Sequence, residues 1–424
     1  PLDVQAYNIE PSQQPSFCTD KAHSVLQPDQ NWLSAQVQGI LTKLEKSSQP
    51  VILVGNGVRL AKSEESFMKL AQQLKIPVLT TWKALDLLSD EDPLFIGRPG
   101  AIGQRAANFA QQKSDWLLML GARMDMGQTA YMHKYLAPNA TKIMIDIDQN
   151  EIEKMSTRID FQVGTDAGIF IDEMLRQLDK RNLDCQKWSK WWKQCLEWKS
   201  NYPVILPEYL EFKDGISIYA LVDAIADLIR AGDLIVPGSS GSCSEVTMQA
   251  FRSKRGVRVF NSEGMGPMGF GISSALGACI ASGGRRTVCI DGDGGFAMNT
   301  QELETVRRLQ LPIKFFVLDN DGYGSIRATQ KAYFESRFFG SSEKGGLTLP
   351  KLQDIATAYR IDYFEMNNSR EIDQIAKLCL EKPVATICRV KVSPQQVTAP
   401  RVTSRQTADG SMETAPMEEM WPPL

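Results

Sequence analysis

The chain has 424 residues, a formal net charge of −3 and an isoelectric point near 5.7. This length predicts two domains rather than one ordinary core, and the slightly acidic balance gives no support for nucleic-acid binding. No apolar run approaches the roughly 18 residues that a membrane-spanning helix needs.

The histidine and cysteine content further limits the kinds of site that the protein can contain. His23 and His133 are the only histidines, and neither has a partner at metal-ligand spacing, which argues against a zinc site and against histidine-centred acid–base catalysis. The eight cysteines form no CxxC pair and several lie in apolar runs, so we expect buried thiols in a reducing cytosol. The sequence shows no charged-then-apolar leader, which predicts a cytoplasmic protein. The chemistry must then come largely from a cofactor.

The first half of the chain has the pattern of a doubly wound α/β domain. Residues 1–28 are polar with prolines and are interpreted as a linker, and residues 29–180 alternate apolar runs with stretches of helical spacing. The strand candidates are Val51–Val54, Ile76–Leu79, Trp116–Leu120 and Lys142–Asp146. Between the first two, helical spacing is kept by Phe67, Leu70, Ala71 and Leu74.

Residues 181–213 form a second linker that is rich in tryptophan and lysine. Its tryptophans are Trp188, Trp191, Trp192 and Trp198. Such side chains can stack on nucleic acid or line a sugar site, but we favour a connecting helix whose aromatic side chains pack on neighbouring domains.

A second doubly wound domain is predicted over residues 214–392, and residues 393–424, which lack periodicity, are interpreted as a C-terminal tail. The strand candidate Asp233–Val236 leads into the small-residue turn Pro237–Ser244, which can present backbone N–H groups and hydroxyls to a phosphate. An ordinary polar loop would have the same composition.

Glycines recur in the segment Glu263–Gly271, ahead of a helix of small residues from Ile272 to Ser282. Four glycines so close together make the chain flexible unless the backbone must approach a ligand. Met268, in the middle of this segment, is either part of such a site or a filler of a gap in the core.

The next helix is predicted between two apolar strand candidates, Thr287–Ile290 and Ile313–Leu318. Asn299 can cap this helix with Glu302 three residues later, and the positions at helical spacing are Leu303, Val306 and Leu309.

Polar residues follow both strand candidates. Asp293 comes just after the first strand and Asn320 just after the second, and strands joined in this way end at the same edge of a parallel sheet. A carboxylate, an amide oxygen, a backbone carbonyl and ligand phosphates form a typical Mg²⁺ shell. The glycines that let the backbone approach a phosphate are Gly292, Gly294 and Gly295. The alternative is two tight turns without a ligand, and the pairing of the two motifs argues against it.

These residues carry a family resemblance. The run GDGGFAMNTQELETVRRLQLPIKFFVLDN, residues 292–320, resembles the motif of thiamine diphosphate (ThDP) enzymes, and within them the acetolactate synthase group, whose run reads much like GDGxFxMNxQELxT. The resemblance implies an α/β fold with two doubly wound parallel-sheet domains, a middle Rossmann-like domain and a C-terminal domain that binds the ThDP diphosphate. It also implies that Mg²⁺ is held by Asp293, Asn320 and the carbonyl of Gly322. Asp319 replaces the first asparagine of the family's pair, a position that is not the presumed ligand.

The resemblance assigns further site residues. The side chain of Met268 is expected to wedge between the two cofactor rings, and the carbonyl of Gly266 to accept a hydrogen bond from the 4′-amino group; these are the two catalytic assignments. The diphosphate contacts of the family align with Ser242 and Cys243, which follow Gly241 and are shorter than the family's usual glutamine and histidine.

The segment Tyr323–Gln330 is expected to border the active site. In acetolactate synthases the position of Thr329 is a tryptophan that shapes the acceptor pocket, so its absence leaves room for a larger or more polar acceptor. Arg327 is either a partner for an acidic substrate or a solvated surface arginine.

Acetolactate synthases also hold FAD in the middle domain. Glycines after the strands and an acid at a later strand end suit a dinucleotide. The matching stretches are Val54–Gly57, Thr80–Trp82, Gly97–Gly100, Gly121–Asp125 and Ile145–Asp148. However, Gly127 stands where an arginine is expected, and the family's Gly-Asp pair reads Gly164-Thr165-Asp166. Because other ThDP enzymes hold ADP or nothing here, FAD is left open.

The expected activity is ThDP- and Mg²⁺-dependent decarboxylation of a 2-oxo acid with carboligation to a second carbonyl compound, in a homodimer or homotetramer. The alternatives are a decarboxylase or C–C hydrolase of the same superfamily and a non-catalytic nucleotide-binding subunit. The presence of Asp293, Asn320 and Met268 argues against the last. Residues Pro1–Gln5 resemble the end of the family's first domain, which implies that a preceding domain supplies the glutamate that protonates the cofactor.

Overall fold

The computed structural model describes residues 28–209, 212–238, 241–262, 264–393, 396–406 and 412–424. The predicted linker at the start of the chain, apart from Pro28, lies outside these residues, as do Ser239 and Ser240 of the predicted phosphate-binding turn and Glu263.

The first half of the chain forms a six-stranded parallel sheet in the order β3-β2-β1-β4-β5-β6. Its strands are β1 Pro50–Val54, β2 Val78–Thr80, β3 Phe95–Gly97, β4 Trp116–Leu120, β5 Thr141–Asp146 and β6 Phe161–Gly164. β1 and β4 are buried along their whole length, as expected for strands with both faces covered. The strand order reverses direction between β1 and β4, which opens a crevice at the strand ends.

Helices cover both faces of this sheet. They are α1 Gln30–Lys46, α2 Gly57–Leu60, α3 Glu64–Leu74, α4 Arg105–Gln112, α5 Gln149–Glu153, α6 Ala167–Leu178 and α7 Ser189–Asn201. The four apolar residues that predicted a helix in this region are all buried in α3.

The tryptophan-rich segment packs on the first sheet. Trp188 and Trp191 are buried, and their indole N–H groups donate to the carbonyl oxygens of Ser47 at 3.0 Å and Pro50 at 3.2 Å. Buried indole N–H groups need such acceptors. A helix with packed aromatic side chains is therefore present, but its buried tryptophans pack on the first half of the chain, and the assignment of residues 181–213 as a linker stays a prediction.

The second half forms another six-stranded parallel sheet, in the order β11-β12-β10-β9-β7-β8. Its strands are β7 Leu234–Pro237, β8 Arg258–Val259, β9 Thr287–Gly292, β10 Ile313–Asp319, β11 Asp362–Met366 and β12 Thr386–Lys391. Its helices are α8 Ile218–Leu228, α9 Ser242–Ala250, α10 Phe270–Ala281, α11 Asp293–Ala297, α12 Leu303–Arg308, α13 Gly324–Tyr333, α14 Leu352–Tyr359 and α15 Ile372–Glu381. The predicted α/β fold with two doubly wound parallel sheets is confirmed.

The register between β9 and β10 positions the site. Gly292 pairs with Leu318, so that the residues following the two strands leave the sheet side by side. The order of this second sheet reverses between β7 and β9, and the turn after β7 therefore opens beside the same edge.

The connection between β9 and β10 differs from the prediction. Instead of one helix it contains α11, a 3₁₀ turn at Thr300–Glu302 and α12. The Asn299 side chain makes no capping hydrogen bond; its amide donates to the carbonyl of Gly269 at 2.8 Å, so the predicted cap is wrong. Leu303 and Val306 are buried as predicted, whereas Leu309 is exposed.

The C-terminal segment folds back onto the first half of the chain. β13 Arg401–Val402 pairs with β16 Met420–Trp421, and β14 Ser404–Gln406 pairs with β15 Met412–Thr414. Met417 and Met420 are buried against Ala101 and Ala130. The sequence pattern does not predict this packing.

Two further findings concern the parts of the chain that the structure describes. None of the helices there combines the length and apolar character of a transmembrane span. None of the seven cysteines in those parts forms a disulfide, and all except Cys185 are buried.

Candidate active site

The predicted metal ligands lie together at the ends of β9 and β10. Asp293 is 7% exposed, and its Oδ1 accepts a hydrogen bond from the N–H of Gly294 at 2.6 Å. Its Oδ2 accepts from the N–H groups of Asn320 at 3.2 Å and Gly322 at 2.9 Å. The carboxylate that follows β9 thus accepts hydrogen bonds from the backbone that follows β10.

Burial sets the protonation of this carboxylate. Removal from water raises the pKa of Asp293 to about 6, against the lowering effect of the hydrogen bond from Gly322. A cation at this position would favour the ionised form and offset the cost of burying the charge.

The side chain of Asn320 supplies a second oxygen. Its Oδ1 is buried and has no hydrogen-bond partner among the described residues. A buried amide oxygen without a partner is costly, and a cation would satisfy it. Together with the Asp293 carboxylate it gives the hard oxygen ligands that Mg²⁺ prefers, so these residues fit the ion.

The loop that carries the third predicted ligand is tightly shaped. Gly322 is buried with φ of +123°, and Asp321 before it has φ of +60°. Two successive residues with positive φ make a turn that glycine favours at the second position. Contacts from outside the loop are needed to hold such a conformation in place.

The predicted wedge region adjoins this loop. A Cβ on Gly294 would lie 2.5 Å from the Tyr323 ring and 3.4 Å from the Met268 methyl group, so these three predicted site residues lie close together. Met268 is half-buried, and the segment before it contains Gly266 with φ of +53°. The structure brings Met268, Gly294 and Tyr323 to the strand-end edge that holds Asp293.

The residues predicted to contact the diphosphate lie at the start of α9. Ser242 is its first residue and Cys243, the second, is buried. Gly241 precedes the helix and faces α13, since a Cβ there would lie 2.4 Å from the Ser325 hydroxyl oxygen. The N-terminus of α9 therefore opens toward the same edge of the second sheet, and helix N-termini favour phosphate groups.

Asp291 is a feature of the site that sequence reasoning missed. It is 4% exposed, its Oδ1 accepts from the N–H of Gly292 at 2.8 Å, and its Oδ2 has no partner among the described residues. Burial raises the pKa of Asp291 to about 7. Added Cβ atoms on three glycines would lie within 2.1–2.7 Å of its carboxyl oxygens: Gly238, Gly271 and Gly295. An acid at the end of an otherwise apolar run is the sequence signal that could have identified it.

Two other polar side chains beside the metal loop have structural partners. Asp319 forms an ion pair with Arg389 of β12, which accounts for an acid at that position. Arg327 donates to the carbonyl oxygens of Asn320 at 2.6 Å and Asp321 at 2.8 Å. Arg327 is therefore tied to the backbone of the metal loop and is not a free, fully solvated side chain. Its pairing with an acidic substrate stays a prediction.

A cavity of about 870 Å³ lies at the strand ends of the first sheet, beside the switch between β1 and β4. Residues from both halves of the chain line it, among them Asn56, Thr165, Asp146 and Glu245. Asn56 Oδ1 and Thr165 Oγ1 are buried without partners among the described residues. Burial raises the pKa of Asp146. The cavity has room for a ligand, and the two unsatisfied oxygens could accept hydrogen bonds from its donors.

Family comparisons agree with this arrangement. Residues 37–177 match the family description "Thiamine pyrophosphate enzyme, central domain", and residues 239–390 match "Thiamine pyrophosphate enzyme, C-terminal TPP binding domain". The chain belongs to the thiamine pyrophosphate enzyme family. The second match includes the strand ends that carry Asp293 and Asn320, and the first includes the sheet with the large cavity.

Individual relatives show which members of the thiamine pyrophosphate enzyme family the chain resembles. The chain is 30% identical over 353 residues to the acetolactate synthase large subunit of Cyanidium caldarium, covering 82% of this chain and 58% of the relative. It is 30% identical over 350 residues to a probable acetolactate synthase large subunit of Methanococcus aeolicus, covering 81% of this chain and 58% of the relative. With the isozyme 1 large subunit of Escherichia coli (strain K12) it shares 26% over 405 residues, 95% of this chain and 68% of the relative. The chain thus spans less than two thirds of the first two relatives.

Proposed function

We propose that the protein catalyses ThDP- and Mg²⁺-dependent decarboxylation of a 2-oxo acid followed by carboligation to a second carbonyl compound, as its acetolactate synthase relatives suggest. The observation that carries the proposal is the pairing of the buried Asp293 carboxylate with the unpartnered Asn320 Oδ1 beside Met268. When bound, ThDP supplies the nucleophilic carbon and the electron sink for removing CO₂.

In this proposal the residues of the protein bind and orient the metal ion and the cofactor. Asp293, Asn320 and the carbonyl of Gly322 would hold Mg²⁺, and the N-terminus of α9 with Gly241, Ser242 and Cys243 would bind the diphosphate. Their glycine neighbours Gly292 and Gly295 admit close backbone approach.

Two residues act nearer the reacting atoms. The Met268 side chain would wedge between the two rings of the cofactor, and the carbonyl of Gly266 would accept a hydrogen bond from its amino group. The closeness of the Met268 methyl group to Gly294 supports this placement, because Gly294 directly follows Asp293.

The acceptor pocket is proposed to admit a larger or more polar carbonyl compound than pyruvate. Thr329 is exposed on α13, and its hydroxyl donates to the carbonyl of Ser325 at 3.2 Å. Its side chain therefore bonds to its own helix, and the small size of threonine compared with tryptophan is what supports the proposal.

A dinucleotide is proposed for the cavity at the first sheet. Its volume suits a ligand of that size, and Asp146 at the end of β5 can accept from a ribose hydroxyl. The thiamine pyrophosphate family matches do not name a flavin, so FAD is one of the dinucleotides to be tested. Absorbance and mass spectra of small molecules released from the purified full-length protein would identify it, and release of no nucleotide would contradict the proposal.

The homodimer or homotetramer remains a prediction. It is supported by apolar side chains exposed near Met268, with Met265 at 92% exposure and Met298 and Phe260 also exposed. Such side chains in one region favour burial by a second copy of the chain. Sedimentation of the full-length protein would measure the assembly, and a cytoplasmic location is likewise still a prediction.

The decisive assay measures CO₂ release from pyruvate by the full-length protein with ThDP and Mg²⁺. Release with formation of acetolactate supports the complete proposal. Release without it supports decarboxylation and points to another acceptor. Absence of release, repeated with larger 2-oxo acids and with no ThDP binding by calorimetry, would contradict the proposed function.

A further inference from the structure

Arg327 connects three backbone segments near the proposed metal site. Its Nη2 donates to the carbonyl of Asn320 at 2.6 Å, and its Nη1 donates to the carbonyls of Asp321 at 2.8 Å and Ser341 at 3.1 Å. A guanidinium group presents its donors in a rigid planar fork, which suits several fixed acceptors at once. Two of these carbonyls belong to the loop that carries Asn320 Oδ1.

Ser341 is the second half of this arrangement. Residues 331–340 are all exposed, whereas Ser341 is completely buried. Its carbonyl accepts from the N–H of Tyr323 at 3.1 Å as well as from Arg327, and its hydroxyl donates to Gln330 Oε1 at 2.6 Å. Gln330 in turn donates to the carbonyl of Phe339 at 2.9 Å. Ser341, Arg327 and Gln330 are called the Ser341 latch below.

The Ser341 latch fastens a loop with exposed aromatic side chains. The loop, residues 334–347, exposes Phe334, Phe338 and Phe339. A Cβ on Gly322 would lie 2.7 Å from the Ser341 carbonyl oxygen, so the loop packs directly on the metal-ligand turn. Helix α13 carries both Arg327 and Gln330 and positions them one turn apart.

We propose that Arg327 is a positioning residue for the metal-binding loop and that the Ser341 latch couples the order of the loop 334–347 to divalent-cation binding. The proposal rests on the proposed Mg²⁺ site at Asp293 and Asn320. The turn at Asp321 and Gly322 has positive φ at both residues, and the Arg327 hydrogen bonds hold it from outside. The latch therefore presents Asn320 Oδ1 and the Gly322 carbonyl in one arrangement.

Electrostatics and positioning predict opposite effects of losing Arg327. Removing a positive charge close to a cation site relieves Coulomb repulsion, and by this effect alone Mg²⁺ binding should become stronger. Loss of the fork should instead weaken it by about tenfold, the order expected when charge-assisted hydrogen bonds are lost. The sign of the change in affinity therefore separates the two.

The experiment compares Arg327→Gln and Arg327→Lys in the full-length protein with Lys331→Gln as control. Lys331 lies on the same helix, is exposed and also loses one positive charge. Mg²⁺ is titrated calorimetrically into the protein in the presence of ThDP. We expect about tenfold weaker binding for Arg327→Gln, a smaller loss for Arg327→Lys, which keeps a single donor group, and no loss for Lys331→Gln. Unchanged or tighter Mg²⁺ binding in Arg327→Gln would overturn the positioning role.

Hydrogen exchange of the metal-free protein tests the latch separately. Arg327→Gln should speed exchange in residues 340–347, where the amides of Gly340, Gly345 and Leu347 are hydrogen-bonded within the loop. Equal exchange in wild type and Arg327→Gln would overturn the latch. If the wild-type protein binds no Mg²⁺, the proposed function fails, and the exchange comparison still decides whether Arg327 fastens the loop.

Discussion

Asp293 is a carboxylate that burial alone would keep protonated at mildly acidic pH, yet three backbone N–H groups point at its oxygens. These N–H donors stabilise the ionised form of Asp293. The site therefore favours a charged carboxylate at this position over a neutral carboxyl group. Asp319, only one residue before Asn320, has a different partner in Arg389. Of these two acids at the same sheet edge, Asp293 thus accepts from the loop backbone, whereas Asp319 forms an ion pair.

We predict that Asp293→Ala in the full-length protein abolishes Mg²⁺-dependent ThDP binding. The loss should be at least about 100-fold, because second-shell partners alone change metal affinity by about 10–100-fold. Asp319→Asn is the matched control, and it should keep ThDP affinity while losing about 1 kcal/mol of stability with the Arg389 ion pair. Calorimetric titration of ThDP with Mg²⁺ measures both variants, and unchanged affinity in Asp293→Ala would reject the metal assignment.

Helix α10 shows why similar glycines have different tasks within one element. A Cβ on Gly271 would lie 2.2 Å from Asp291 Oδ2, whereas a Cβ on Gly277 would meet nothing within 4 Å. Gly271 is buried and Gly277 is exposed. The first glycine therefore makes room for a buried carboxyl group, and the second only lowers the helix propensity of the segment.

We expect Gly271→Ala to destabilise the protein by about 1–3 kcal/mol through overpacking. Gly277→Ala should stabilise it by about 0.5–1 kcal/mol because alanine favours the helix. Denaturant unfolding of the two variants measures the difference. In an Asp291→Ala background the cost of Gly271→Ala should largely disappear, and a cost that persists there would show that contact with Asp291 is not its cause.

The predictability of each element depends on where its stabilising contacts come from. The strands β1, β4, β9 and β10 were predictable because buried parallel strands are continuous apolar runs with glycine or polar residues after them. The strand-end position of Asp293 and Asn320 follows from topology alone. These features are local or follow from the order of elements along the chain.

The features that sequence reasoning missed depend on distant partners. Asn299 has the right spacing for a cap, but the carbonyl of Gly269 competes for its side chain. Met417 is buried because Asn108 donates to its carbonyl at 2.8 Å and because the first half of the chain offers an apolar surface. The hydrogen bonds of the Arg327 guanidinium could not be predicted without knowing where Ser341 lies, because Ser341 is fourteen residues away in irregular structure. Periodicity carries no signal for such contacts.

At the scale of the whole molecule, Gln249 connects the two halves and the C-terminal segment. It is completely buried; its Nε2 donates to the carbonyls of Gly103 at 3.0 Å and Pro400 at 2.6 Å, and its Oε1 accepts from the Tyr219 hydroxyl at 2.6 Å. Its own carbonyl accepts from Arg98 at 3.1 Å and from Gln104 at 2.7 Å. All of these bonds meet at the end of α9, the helix whose other end faces the proposed diphosphate position.

We predict that Gln249→Glu lowers the stability of the whole protein by at least about 3 kcal/mol, because two buried carbonyls lose their donor and an unpaired charge is introduced. The melting temperature should fall by roughly 3–5 °C, and the two halves should begin to unfold in separate calorimetric transitions. Gln353 is exposed on α14, so Gln353→Glu adds the same charge and should change neither quantity. Because α9 also carries Ser242 and Cys243, the Gln249→Glu protein should bind ThDP more weakly even below its melting temperature. A protein that keeps its melting temperature and its single transition would show that this buried network does not couple the two domains.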